Sequence, residues 1–252
     1  MNKKARSPAK VNLTFKVVQR REDGYHDIET HMQVVSLSDY LHFSLEDNRI
    51  TCTDPTIPCD ERNLVHKARA LFCQKAGIDT PISIHIEKNI PHGAGLGGGS
   101  SNAATTLFTL NELFERPLLE RDLLELAAQI GSDVPFFFSS GSALCTGRGE
   151  IMQDQTPSKI PSFIAKPKSL SLSTPAVYAK CKPLESLEPA AFRCLPELQR
   201  FKDDLQSYFS EVFMSGSGTS FICYGAPNEP VTLDCELFPI EALSKKPGNW
   251  YA

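Results

Sequence analysis

The stretch Pro91-His92-Gly93-Ala94-Gly95-Leu96-Gly97-Gly98-Gly99-Ser100-Ser101-Asn102 decides how the chain reads. Five of the protein's 15 glycines fall between Gly93 and Gly99. Before it, Ile82, Ile84 and Ile86 alternate with Ser83, His85 and Glu87, the period of a half-buried strand. After it, Ala103, Leu107, Leu110 and Phe114 lie along one helical face. Ser100 or Ser101 is a natural N-cap for that helix, and Pro117 marks its end. Strand, glycine loop and helix N-terminus follow one another. Such a loop has no Cβ atoms to hold an anion away, and its amides and helix dipole favour negative charge. Phosphate is the expected guest.

Two motifs compete for the loop. Gly93-x-Gly95-x-x-Gly98 spells a dinucleotide fingerprint between a strand and a helix. That fingerprint also needs an acidic residue at the end of the next strand, whereas the corresponding region, Glu115 to Arg121, is a helix exit and polar turn. A Walker loop needs Lys and Ser/Thr after its last glycine, and Gly98 is followed by Gly99 and Ser100. Neither motif is complete.

Around the loop the chain is ordinary. Its 252 residues, 41% hydrophobic and 22% charged, suit a globular protein with ample core. The net charge of −4, without a basic stripe, argues against a general nucleic-acid binder. No apolar stretch has the length of a membrane span, and the polar start lacks a signal h-region, so a cytoplasmic protein without membrane association is expected. The eight cysteines form no C-x-x-C pair and read as scattered reduced thiols.

The N-terminal stretch Ser7-Pro8-Ala9-Lys10-Val11-Asn12-Leu13-Thr14-Phe15-Lys16-Val17 alternates like a strand. Lys10, Asn12 and Thr14 lie on one face and Val11, Leu13 and Phe15 on the other. The plain account is an edge strand showing polar groups to water. Asp23-Gly24 then signals a turn, and Tyr25 and His26 follow it. That pair could stack on and hydrogen-bond a planar base, or be surface residues. Met32 to Leu45 supplies further strand, a helix beginning near Leu64 ends by Gly77, and Leu123 to Ile130 is a short helix stopped by Gly131.

In Gly131-Ser132-Asp133-Val134-Pro135-Phe136-Phe137-Phe138 a carboxylate stands beside an apolar run. Partial desolvation, or a cation holding it ionised, suits a group that accepts a proton. Equally, Asp133 could cap a short helix with Pro135 in its first turn. Further on, frequent prolines leave the region to about residue 200 segmented. Met214-Ser215-Gly216-Ser217-Gly218-Thr219-Ser220 is a third small-residue loop, either an anion cradle or a hairpin turn, before the strand Phe221 to Tyr224.

Taken together and in this order, Ser7-Pro8-Ala9-Lys10-Val11-Asn12, the glycine loop and Met214-Ser215-Gly216-Ser217-Gly218 resemble the GHMP kinases. Gly24-Tyr25-His26, the long Gly-Gly-Gly-Ser-Ser-Asn loop and Gly131-Ser132-Asp133-Val134-Pro135-Phe136 resemble most a branch that phosphorylates a cytidine-diphosphate-linked polyol. The resemblance implies a two-domain α+β fold. Residues 1–150 would form a ribosomal-S5-like N-terminal domain with the ATP loop, and residues 151–252 a shortened ferredoxin-like C-terminal domain. It implies ATP and Mg²⁺, with Lys10 and Asp133 as the catalytic pair. Pro91, His92, Gly93, Ala94, Gly95, Leu96, Gly97, Gly98, Gly99, Ser100 and Ser101 would cradle the triphosphate. Asn63 and Lys88 would join the adenine pocket, and Ser100 or Ser101 would stand near the metal, for which no carboxylate ligand is named. Asn12, Tyr25, His26 and Tyr178 would hold the cytidine substrate, in a monomer or homodimer. Other readings are a homoserine- or mevalonate-type kinase, a non-catalytic sensor on the same fold, and, more distantly, an NAD-binding oxidoreductase. The chain departs from the branch in being short between Glu150 and Phe201 and after Tyr224, and in carrying Ser217 where Thr is frequent.

Overall fold

The structure, a computed structural model, describes residues 2–157 and 159–251. Two long antiparallel strands, β1 (Asn2–Arg20) and β2 (His26–Ser44), are its spine. The turn between them uses the Asp-Gly signal as expected. Gly24 adopts a positive φ of 86°, and the Asp23 carboxylate accepts the Tyr25 N–H at 3.0 Å.

β3 (Ile50–Cys52), β4 (Ser83–Glu87), β5 (Ser142–Thr146) and β6 (Ile151–Asp154) complete a six-stranded sheet. Its order is β3-β4-β2-β5-β6, with β1 along the other edge of β2. Three helices cover one face: α1 (Leu64–Ala76), α2 (Gly98–Leu113) and α3 (Glu120–Ile130). Phe43, Ile84 and Ile86 of the sheet pack with Phe72, Leu107 and Leu126 in one core cluster. Each such side chain contributes about 1.5–3 kcal/mol of burial. α2 is buried on more than its apolar stripe, since Asn102, Thr105 and Thr106 are also inside. Its N-cap is Gly97, in the left-handed region, and not Ser100 or Ser101, which lie in its first turn. The glycine run continues straight into the helix, so no side chain occupies the capping position.

The second sheet is built from β7 (Phe163–Pro167), β8 (Glu211–Met214), β9 (Phe221–Tyr224) and β10 (Cys235–Pro239). Its order is β10-β7-β9-β8, and every neighbouring pair is antiparallel. That is the ferredoxin-like arrangement of a split β-α-β unit. The proline-rich region supplies three short helices between β7 and β8: α4 (Thr174–Lys180), α5 (Leu187–Cys194) and α6 (Glu197–Leu205). The second crossover, residues 225–234, is a loop where a ferredoxin-like unit has a helix, which is the element the short C-terminal half lacks. The chain then returns to the first sheet, where Leu243 N–H donates to Val34 O at 2.9 Å and Trp250 stacks on Phe108.

A third cluster joins the two sheets: Ala9 and Val11 of β1, with Ala94 and Leu96 of the glycine loop, pack with Ile164 and Ile222 from the second. The third glycine loop is the β8–β9 hairpin turn, and it packs against the first glycine loop.

Candidate active site

β1 is the outer strand of its sheet, as read, yet its polar face is not in water. Lys10 is 5% exposed and Asn12 3%. The free edge of the strand is covered instead by other segments: Lys10 N–H donates to Leu96 O at 3.0 Å, and Val17 and Leu184 pair backbones further along. The expected alternation also breaks. Between Asn12 and Thr14 the register with β2 shifts, so that Leu13 is an extra residue in a bulge. A bulge of one residue exchanges the two faces of everything beyond it. Phe15 and Val17 therefore join Lys10 and Asn12 in lining one cleft, while Thr14 is exposed. The strict two-residue period had placed Phe15 opposite Lys10.

The cleft has a volume of about 830 Å³ and lies between β1 and β2 on one side and α4 and the start of α5 on the other, with the glycine loops at its end. At its inner end, Lys10 Nζ lies 3.4 Å from Asp133 Oδ2 and donates to Asn12 Oδ1 at 2.7 Å. Asp133 follows α3 through Gly131 and is anchored by Val134, Phe136 and Phe137, all fully buried. It does not cap the 3-10 turn at Pro135–Phe138: Val134 stands at that N-cap with no side-chain hydrogen bond. The Asp133 carboxylate is free to face the cleft, and its side chain is 35% exposed, against 6% for Lys10. The result is a buried cation beside a carboxylate that remains open to a guest.

The glycine loop borders the same end of the cleft, through Gly95 and Gly97. Gly97 has a φ of 67°, and a Cβ there would lie 2.8 Å from Lys10 Cγ and 3.3 Å from Phe137 Cζ. The lysine stem lies in the space that a side chain would fill. A Cβ on Gly95 would lie 2.5 Å from Ser215 O, so the third loop closes on the first at backbone distance. Ser215 Oγ ties the assembly, accepting from Asn12 N–H at 3.1 Å and donating to Gly95 O at 3.5 Å. Three segments far apart in sequence meet here because glycines let their backbones touch.

Of the other loop residues, His92, Gly93 and Gly99 are exposed and Ser100 is partly exposed. Ser101 is fully buried and hydrogen-bonded to Ser7 Oγ at 2.9 Å, which leaves Ser100 as the hydroxyl on the open side. Asn63 and Lys88 are engaged within the protein. Asn63 is the N-cap of α1, accepting from Val65 N–H and donating to Pro58 O. Lys88 forms a buried ion pair with Asp39 at 2.9 Å, contacts Ile90 O, and lies under Gly98. Neither lines the cleft.

The outer end of the cleft is aromatic. His26 begins β2, and its ring centroid is 5.0 Å from that of Tyr178 on α4, tilted by 34°. Phe15 meets Tyr178 edge-on. Burial, then the nearby Arg20, hold the His26 imidazolium below its usual range, so the ring is neutral near pH 7. Burial, then the charge of Asp133, push the Tyr178 hydroxyl up, so it stays protonated. Tyr25 is 54% exposed at the rim, with the Arg148 guanidinium 5.0 Å over its ring. The structure thus brings Tyr178 to His26 across the cleft, with Tyr25 at its edge. Thr30, Arg20, Arg148 and Thr174 also line the cleft and were not singled out from sequence. For Thr30 a signal was present: it follows His26 at even spacing along one strand face. Ser217, beside the cleft, shares a 2.8 Å hydrogen bond with Thr174, so its hydroxyl has a partner on α4.

The cleft thus has the glycine loop and the Lys10–Asp133 pair at one end and the His26 and Tyr178 rings at the other. Residues 63–141 match the family described as GHMP kinases N terminal domain. Over 98% of this chain and 92% of the relative, the sequence is 41% identical to 4-diphosphocytidyl-2-C-methyl-D-erythritol kinase of Protochlamydia amoebophila. It is 40% identical to the chloroplastic/chromoplastic enzyme of that name from Solanum lycopersicum, over 97% of this chain and 72% of the relative. A crystal structure of 4-(cytidine 5'-diphospho)-2C-methyl-D-erythritol kinase superposes with a TM-score of 0.76 at 32% identity, covering 88% of this chain and 90% of the other. The chain belongs to the 4-diphosphocytidyl-2-C-methyl-D-erythritol kinase family. Homoserine kinase from Cytophaga hutchinsonii shares the fold, with a TM-score of 0.74 at 16% identity, covering 98% of this chain and 96% of the other.

Proposed function

We propose that this protein transfers the γ-phosphoryl group of ATP to the 2-hydroxyl of 4-diphosphocytidyl-2-C-methyl-D-erythritol, a step in making isoprenoid precursors. The observation that carries the reading is one cleft holding the Lys10–Asp133 pair beside the glycine loop and the His26–Tyr178 rings at its far end.

In this reading Asp133 accepts the proton of the 2-hydroxyl as that oxygen attacks phosphorus. Lys10, 3.4 Å away, pairs with the carboxylate and balances the negative charge that gathers during transfer. This explains how a loop without a Walker lysine serves: the cation comes from β1, with its stem packed on Gly97. Phosphoryl transfer asks little covalent help of the protein, so holding the reactants in line is the larger task. The residues of the loop, Pro91 to Ser101, present amides and a helix N-terminus to the triphosphate. Asn12 holds the polyol, and neutral His26 reads the cytosine edge between Tyr25 and Tyr178. Asn63 and Lys88 serve the nucleotide indirectly, by fixing α1 and the floor of the loop.

A magnesium ion would neutralise the β- and γ-phosphate oxygens. Among the described residues no group of three or more His, Cys, Asp or Glu is placed to hold a metal. Ser100, the open hydroxyl at the helix start, would stand near such an ion, in keeping with magnesium's retained waters. We place the boundary between the two domains just after β6, since Ile151–Asp154 is still part of the first sheet. No helix among the described residues is long and apolar enough to cross a membrane.

A kinase for homoserine or mevalonate is disfavoured by the His26–Tyr178 pair, since those substrates carry no base to stack. A non-catalytic sensor has no need of Lys10 beside Asp133. The test is ATP-dependent turnover by the purified protein with 4-diphosphocytidyl-2-C-methyl-D-erythritol, mevalonate and homoserine in parallel. Phosphorylation of the cytidine substrate is expected; turnover of either other alcohol in its place would refute the assignment.

A further inference from the structure

Behind the reacting pair runs a line of hydrogen bonds whose polarity is set from its inner end. At the β1 bulge, side chains stand in for ladder bonds: His31 N–H donates to Thr14 Oγ1 at 3.1 Å, and the Thr30 hydroxyl donates to Thr14 O at 2.7 Å. A carbonyl oxygen can only accept, so the one hydrogen of Thr30 is committed there. What Thr30 Oγ1 has left is lone pairs. The group facing it must donate, and it is Asn12 Nδ2, at 2.7 Å. The other half of that amide, Oδ1, then faces Lys10 Nζ at 2.7 Å, and an ammonium can only donate. Both ends of the line demand the same orientation of Asn12. Turned over, its NH2 would face the ammonium and its carbonyl would face the Thr30 lone pairs. Thr30 is fully buried and Asn12 is 3% exposed, so water is poorly placed to repair either mismatch.

We propose that Thr30 is a positioning residue for phosphoryl transfer: its hydroxyl fixes the facing of the Asn12 amide, which in turn holds Lys10 where it serves Asp133. This rests on the reading of Lys10 and Asp133 as the catalytic pair. Thr30 itself touches neither reacting atom in that mechanism. It acts through Asn12, and its method is to remove one of two amide orientations. The bulge is what makes this possible, since it turns the Thr14 carbonyl to a side chain.

The experiment is kcat at saturating ATP and cytidine substrate for Thr30→Val, Thr30→Ser, Asn12→Ala and the Asn12→Ala/Thr30→Val double variant, with Asp133→Asn alongside. Valine matches threonine in shape and lacks only the hydroxyl; should it fail to fold, Thr30→Ala removes the same group and carries the same expectation. Thr30→Val should lower kcat by about 10-fold, from an unpaired amide and a displaced cation. Thr30→Ser, which keeps the hydroxyl, should stay within about 2-fold of the parent, and Thr30→Val should add nothing further once Asn12 is alanine. An unchanged kcat in Thr30→Val, no recovery in Thr30→Ser, or an equal loss with and without Asn12 would each overturn the proposal. Asp133→Asn separates the two failures. If it abolishes turnover while Thr30→Val is unaffected, the positioning role alone is wrong; if it turns over normally, the pair itself is misassigned.

Discussion

Among the described residues, two buried lysines pair with aspartates, and the pairs differ in how closed they are. Lys88 and Asp39 are 7% and 0% exposed and 2.9 Å apart. Asp39 Oδ1 also accepts the N–H groups of Asn89 and Ile90, both at 2.7 Å, and the carboxylate is fully enclosed. Lys10 is as buried as Lys88, but Asp133 is 35% exposed and its pairing is looser, at 3.4 Å. The closed pair has no capacity left for a guest. It ties β2 to the strand exit that leads into the glycine loop. The open pair keeps a carboxylate available at the cleft. Identical residue types thus give a strut in one place and, in the proposed reading, a reactive centre in the other, and the difference lies in whether the aspartate is enclosed or open to the cleft.

That contrast can be broken by substitution. The largest effect is expected for Lys10→Met: kcat should fall by about 10³-fold with the fold retained, because a cation aimed at developing charge is lost. Circular dichroism and thermal melting beside kinetics would check it, and a small kinetic loss with a large melting shift would make Lys10 a strut like Lys88. Asp39→Asn should do the reverse. Leaving Lys88 buried without its counter-charge costs about 3–5 kcal/mol. For a chain of this size that lowers Tm by about 10 °C. A variant with an unchanged Tm would mean the closed pair is not structural. The smallest effect concerns the far end of the cleft. His26→Ala should raise KM for the cytidine substrate by about 10-fold, the loss of one buried hydrogen bond and ring contact, with KM for ATP unchanged. An equal loss for both substrates would remove His26 from base recognition.

Much of this was readable from residues alone. The strand, glycine loop and helix around Pro91 to Asn102 are local patterns, and local patterns carry their own period. The pairing of Lys10 with Asp133 came from the resemblance; the residues alone left Asp133 as either a proton acceptor or a helix cap. What escaped were features set by distant pairings. The Leu13 bulge, invisible in the alternation of Val11 to Val17, sends Phe15 into the cleft. The burial of Ser101 depends on Ser7, 94 positions away, and that separation hid which serine stays open. Asp39 gave no sign of its role, because its partners are Lys88 and two backbone amides about 50 residues on. In the second half, prolines cut the region before residue 197 into short pieces and hid α4 and α5, whereas the Leu198, Phe201 and Leu205 stripe of α6 was present and passed over. Tyr178 was found by its resemblance, and only the packing of α4 against β1 and β2 puts it on His26.

The distinction between the strut and the reactive pair rests most directly on Asp133. The decisive measurement is kcat for Asp133→Asn with saturating ATP and 4-diphosphocytidyl-2-C-methyl-D-erythritol, taken with its Tm and ATP affinity. An amide fills the same space beside Lys10 but accepts no proton, so kcat should drop by about 10²–10⁴-fold while Tm and ATP binding hold. Parent-like turnover in that variant would contradict the assignment of Asp133 as the base.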